Sequence, residues 1–193
     1  MLTLKEADAL FATEARIGRI KELLADKVIR RIRLRGLPGS APAMLFAGLE
    51  RRALPYLIVA DDEESAGYLY NDLIQITGEP KSVAIFPSGY KRHIKYGQPD
   101  PPARILRTET LDAIRSKDAP RWIVTSPEAL AEKVPLPADL ASSTLHLQSG
   151  KKDVMSDTVK RLRELGFKET DYVYEPGQFA RRGSILDVFS YSF

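Results

Sequence analysis

The sequence predicts an α/β protein, a parallel sheet with flanking helices over residues 1–140, followed by a smaller α+β unit over residues 141–193. Three observations predict it. Short apolar runs, "PYLIVA", "SVAIFP" and "RWIVTS", alternate with segments of helical periodicity, the rhythm of buried parallel strands joined by crossover helices. Ahead of them, "RIRLRG" is strand-like and leads through "GLPGSAPA" into another helix. From about Ser142 the rhythm changes to a helix followed by strands separated by tight turns.

The elements follow in order. After a short opening helix, "RIGRIKELLADKVIR" spaces Ile17, Ile20, Leu23, Leu24 and Val28 along one helical face. "SAPAMLFAGLERRA" is a second such helix, with Pro42 in the first turn, where a missing N–H costs little. "DDEESAGYLYNDLIQITG" opens with acids, carries Ala66, Leu69, Tyr70, Leu73 and Ile74 on one face, and closes on Gly78. "SGYKRHIKYGQPDPP" breaks the periodicity as an exposed loop, and helical spacing returns from Ala103 to Ile114. In the second unit, "STLHLQSG" is read as a strand and "MSDTVKRLRELGF" as a helix running from near Asp157 to Gly166. "EPGQ" places Pro176 and Gly177 at the centre of a type II turn. The strand-like ending "DVFSYSF" predicts that this unit is incomplete at Phe193.

Composition narrows the chemistry. A chain of 193 residues with 44% hydrophobic and 28% charged residues has the makings of a buried core. The absence of cysteine excludes disulfides, thiolate metal sites and thiol catalysis. No apolar run approaches the length of a membrane span, and "MLTLKEADALF" carries acids where a signal peptide carries a basic stretch, so a cytoplasmic protein is expected. The net charge of +3 is mild.

The frame Gly36 to Ala43 invites comparison with a phosphate-binding loop, G-x-x-x-x-G-K-[ST], in which backbone N–H groups cradle phosphates, lysine neutralises the outer ones and a hydroxyl holds magnesium. The first glycine, Gly36, is present, and Gly39 and Ser40 follow within the loop. The second signature glycine is Ala41, the lysine is Pro42 and the hydroxyl is Ala43. The loop is degenerate. Neither cofactor binding nor ATP hydrolysis is expected of it.

With that loop, "DDEESAGYLYNDL", "VAIFPS", "IVTSPEALAEKVP" and "EPGQFARRGSILDVF" together, the chain resembles the UvrB-like N-terminal region of the Mfd family, the bacterial transcription-repair coupling factors. The most specific piece is the last, similar to a family pattern of glycine, aromatic, two residues, Arg-Gly and then Ile-Leu-Asp-hydrophobic-Phe. The resemblance implies a helicase-like fold kept as a scaffold after its nucleotide chemistry was lost, a non-enzymatic module whose partner is UvrA. In UvrB the equivalent loop keeps its lysine and threonine, and a long aromatic hairpin separates DNA strands; here "GYKRHIKYGQPDPPARIL" is shorter. The family's contact arginine falls on Arg182, with Arg181 beside it and Phe179 nearby, and a further basic contact falls on Lys168, a point charge without arginine's planar fork. The resemblance further implies that ATP with magnesium, RNA polymerase and double-stranded DNA are bound by other parts of a full-length translocase. It also implies that an intramolecular contact with the C-terminal region masks this module.

Other residue clusters offer candidate chemistry. Lys91, Arg92, His93 and Lys95, with Tyr90 and Tyr96, could hold a nucleic-acid backbone and stack bases, so a DNA-binding module is one alternative and a residual nucleotide-binding helicase-like domain another. Asp61 and Asp62 are explained by the dipole of the helix they precede. Asp187 is expected to fix a turn or pair with one of the arginines. His93 and His146, far apart and without clustered acids, make no metal site, and no catalytic residue is assigned.

Overall fold

The computed structural model describes residues 6, 9–11, 13–49, 54–90, 98–145, 147–148 and 155–191. The chain divides into two compact units, Met1–Ser88 with Thr110–Leu130, and Gly89–Glu109 with Ala131–Phe193. Among the described residues no helix is long and apolar enough to cross a membrane.

The first unit is built on a parallel sheet of β1 (Tyr56–Val59), β2 (Val83–Phe86) and β3 (Trp122–Thr125) in the order β1-β3-β2. The central strand is buried along its whole length, which is why "WIVT" is continuously apolar but for a threonine. That exception is satisfied, since Thr125 Oγ1 donates to the Phe86 carbonyl at 2.7 Å. α2 (Ala41–Ala47) and α3 (Glu63–Thr77) cover one face, where Ala43, Ile58, Ala66, Leu73, Ile76, Val83, Trp122 and Val124 form the core. Trp122 Nε1 donates to the Phe46 carbonyl at 3.1 Å and ties the sheet to α2. On the other face Ala129 and Leu111, from helices α5 (Pro127–Ala131) and α4 (Pro101–Arg115), pack on Phe86, Ile123 and Ala84.

The local signals of α3 act as read. Asp62 Oδ1 accepts from the Ser65 N–H at 2.7 Å, Glu63 and Glu64 occupy the first turn, and Gly78 closes the helix at φ 66. α1 (Ala15–Ala25) is shorter than expected. Asp26 turns to an extended backbone and its Oδ1 takes the Val28 N–H at 2.8 Å, so Val28 lies beyond the helix and is 83% exposed.

The strand expected at "RIRLRG" does not form: residues 29–38 have no regular structure. Arg31, Arg33 and Arg35 alternate with Ile32 and Leu34 there, and a strand exists only where another backbone supplies its hydrogen bonds. Neither edge strand of the sheet supplies them.

In the second unit, α6 (Pro137–Ser142) occupies the approach to "STLHLQSG", and the strand expected there is absent among its described residues. The Ser142 and Thr144 hydroxyls bond back to the Asp139 and Leu140 carbonyls, extending helical bonding into the segment, and Leu145 joins the core. α7 (Met155–Glu164) ends in a Schellman motif: Phe167 N–H reaches the Leu162 carbonyl, Gly166 N–H reaches that of Arg163, and Gly166 sits at φ 83. β4 (Lys168–Glu169) pairs parallel with β5 (Gln178–Arg182), and β5 pairs antiparallel with β6 (Ile185–Phe189). Of the strands read across "DYVYEPGQFARRGSILDVF", β5 and β6 are present and joined by a tight turn, whereas "DYVY" forms no strand. Val159, Leu162 and Phe179 form the core between α7 and this sheet, with Phe167 and Leu186 against them. The same unit holds a nearly buried ion pair, Arg107 Nη1 to Glu132 Oε2 at 3.2 Å. The Glu132 carboxylate also accepts the Gly89 N–H at 3.0 and 3.2 Å. Burial lowers the Arg107 pKa from its ordinary value, and the Glu132 charge opposes that shift.

Candidate partner-binding surface

The hairpin β5–β6 turns on two residues, Gly183 and Ser184, with Gly183 at φ 62 and Ser184 outside the positive-φ region, as a type II′ turn requires. Register then fixes which side chains share a face. Ala180 stands opposite Asp187, Arg181 opposite Leu186 and Arg182 opposite Ile185. Because successive strand residues point to opposite faces, Phe179, Arg181 and Leu186 lie on the face that α7 covers. Ala180, Arg182, Ile185 and Asp187 lie on the other face, hereafter the outer face. In the parallel β4–β5 pair Lys168 is in register with Gln178, which places Lys168 on the outer face with Arg182.

Arg182 Nη2 bonds the Asp187 carboxylate, and its guanidinium lies 5.8 Å from the Tyr172 ring centroid. The hydrogen bond to Asp187, then its charge, raise the Arg182 pKa above its ordinary value. Asp187 thus pairs with one arginine, as expected. The Arg181 side chain is exposed and makes no hydrogen bond or ion pair among the described residues. The adjacent arginines are therefore not one patch. Phe179, expected near the contact surface, is corrected: it is fully buried under α7, because the face that carries it is the core face. Lys168 is exposed, while its neighbour Glu169 turns to the α7 side and pairs with Arg163 at 2.5 Å.

The segment between β4 and β5 is pinned at both ends. Thr170 N–H bonds the Phe179 carbonyl at 2.9 Å and its Oγ1 donates to the Tyr172 carbonyl at 2.8 Å. At the other end Gln178 Oε1 accepts the N–H groups of Tyr174 and Glu175. Tyr172 and Tyr174, 60% and 77% exposed, stand with ring centroids 6.5 Å apart. Sequence reasoning passed over these two tyrosines, although "YVY" spaces them at a strand's period and was the available signal.

The degenerate loop is equally specific. Ala41 N–H bonds the Pro38 carbonyl at 3.1 Å across Gly39 (φ 56) and Ser40 (φ −81, ψ 4), so a donor at the start of α2 is spent within the turn. Pro42 has no N–H, and Ala43 is fully buried in the sheet core. Gly36, Gly39, Ser40, Ala41, Pro42 and Ala43 supply neither a cation nor a magnesium-binding hydroxyl in the signature frame. They do not fit a nucleotide with magnesium.

Residues 145–193, which hold α7 and the three-stranded sheet, match the family model of the UvrB interaction domain. Over 158 residues the chain is 27% identical to the transcription-repair-coupling factor of Bacillus subtilis (strain 168), covering 81% of this chain and 13% of that protein. It is 29% identical over 168 residues to the transcription-repair-coupling factor of Myxococcus xanthus, covering 83% and 14%. The UvrABC system protein B of Vibrio parahaemolyticus is 27% identical over 194 residues, covering 88% and 27%. The resemblance to Mfd and UvrB is borne out. The chain spans only 13% to 27% of the length of these relatives. Within the UvrB interaction match lie Arg181, Arg182, Lys168 and Phe179. Of the basic loop, Tyr90 is described and bridges to Pro99, whereas Lys91 to Tyr96, with His93, and likewise His146, fall outside the described residues.

Proposed function

We propose that this chain is a UvrB-like module of a transcription-repair coupling factor that recruits UvrA to a stalled RNA polymerase for nucleotide excision repair, without nucleotide chemistry of its own. One observation carries the reading: the segment matching the UvrB interaction domain presents Arg182 and Lys168 on one face of its sheet. An arginine fork and an aromatic neighbour have the composition of protein-interface hot spots. The first 140 residues serve in this reading as a helicase-like scaffold, and residues 141–193 as the UvrA-binding domain. ATP with magnesium, polymerase and duplex DNA belong to other parts of a cytoplasmic full-length protein, whose C-terminal region masks the module by direct contact.

Calorimetric titration with purified UvrA tests this. Saturable binding by the wild-type chain, weakened at least about tenfold by Arg182→Ala in a protein of unchanged circular dichroism, is the expected result. A folded wild-type chain that ignores UvrA but binds duplex DNA with a steep salt dependence would replace recruitment by the DNA-binding alternative.

A further inference from the structure

We propose that Tyr172 and Tyr174 are aromatic anchors for UvrA beside Arg182, and that Arg181 lies outside the contact. This rests on the recruitment reading above and specifies its surface. The occupant is a protein segment that brings a carboxylate to Arg182 and an apolar side chain against the tyrosines and Ile185.

Three features support it. The pleat places Arg181 on the face that α7 covers, whereas Arg182 and Lys168 share the outer face, so a partner seated there reaches the second pair together. Next to Arg182 the same region exposes Tyr172, Tyr174 and Ile185, large side chains whose burial on binding releases water from apolar surface. Their backbone is already ordered by Thr170 and Gln178, so docking forfeits little loop entropy.

Within the strands the outer face carries Lys168 and Arg182 against one carboxylate, Asp187, while the exposed Asp171 and Glu175 flank the tyrosines, so the occupant's carboxylate is directed to Arg182 and its apolar side chain to the tyrosines. Asp187 engages Nη2 of Arg182 and holds the planar fork in place, which leaves other N–H donors for a carboxylate arriving from the partner. Asp187 is thus a positioning residue.

The test is calorimetric titration of the whole chain with purified UvrA, using Tyr172→Ala, Tyr174→Ala and Arg181→Ala, each checked by circular dichroism and thermal unfolding. Each tyrosine variant is expected to weaken binding about fivefold to tenfold, and Arg181→Ala less than about twofold. Tyr172→Phe, which keeps a ring beside the guanidinium, should restore most of the loss. Tyrosine variants that bind like the wild type, or a loss confined to Arg181→Ala, overturn the patch while wild-type binding upholds recruitment. A wild-type chain that does not bind overturns recruitment, and the patch with it.

Discussion

Arg182 reaches across the β5–β6 ladder to Asp187 on the same face, while Arg181, its neighbour in sequence, points to the opposite face and has no polar partner among the described residues. Both partners of the ion pair are substantially exposed, so solvent screens it and it adds little to folding. Stability and recognition should therefore separate. Asp187→Asn is expected to move the thermal midpoint by no more than about 2 °C while weakening UvrA binding several-fold, with recovery in Asp187→Glu. A large drop in the midpoint that accounts for the lost affinity would make the pair structural.

Phe179 is the opposite case. It is fully buried with Val159 and Leu162, so Phe179→Ala removes a ring and leaves a cavity between α7 and β5. A loss of about 3–5 kcal/mol is expected in urea unfolding of this unit. Phe179→Leu should recover much of it. An unchanged denaturation midpoint in the alanine variant would contradict the buried placement.

These two residues show what was legible in the sequence. Local signals needed no context: Asp62, Gly78 and Gly166 each act on backbone groups a few residues away. The short apolar runs of β2 and β3 were legible because a buried parallel strand is apolar on both faces, and β1 is as apolar although Leu57 and Val59 on its second face are exposed. "RIRLRG" misled because a strand's existence depends on a partner that no local pattern reveals. "ARR" suggested one basic patch, and the pleat divides it, since a shift of one residue changes the face. The Gly89 to Glu132 bond was hidden for a different reason: 43 residues separate its partners.

Gly177 occupies the second central position of the "EPGQ" turn at φ 83, and a Cβ placed there would come within 2.4 Å of Tyr191 Oη. Gly177→Ala therefore combines backbone strain with a clash, a cost on the order of 1–3 kcal/mol. Combining it with Tyr191→Phe removes the nearest atom but not the strain. Partial recovery in the double variant, measured by thermal unfolding, is expected; strict additivity would show that the Tyr191 hydroxyl does not set the cost.

The Arg107–Glu132 pair sits where solvent has little access. Glu132→Gln keeps the shape but withdraws the charge that compensates a buried guanidinium, and it leaves one weaker acceptor for the Gly89 N–H. A destabilisation of about 1–3 kcal/mol is expected. Arg107→Met combined with Glu132→Gln should cost less than the sum of the two single changes, because neither variant charge is then left uncompensated. Additive losses in urea unfolding would show that the two side chains act independently.

Restoring the lysine and the hydroxyl of the phosphate-loop signature offers the strictest test of the scaffold reading. In Pro42→Lys with Ala43→Thr the lysine would gain its counter-charge role only if the loop opened toward a ligand, but the Ala41 N–H is bonded to the Pro38 carbonyl. The threonine would enter a fully buried position among Ile58, Leu73 and Trp122, where added volume and an unpaired hydroxyl oppose folding rather than hold magnesium. The double variant is expected to lose about 1–3 kcal/mol of stability and to show no magnesium-dependent binding of a fluorescent ATP analogue. Binding that appears with magnesium and disappears with a chelator would mean that side chains alone silenced the site, and that the turn and the packing of α2 still allow a nucleotide to enter.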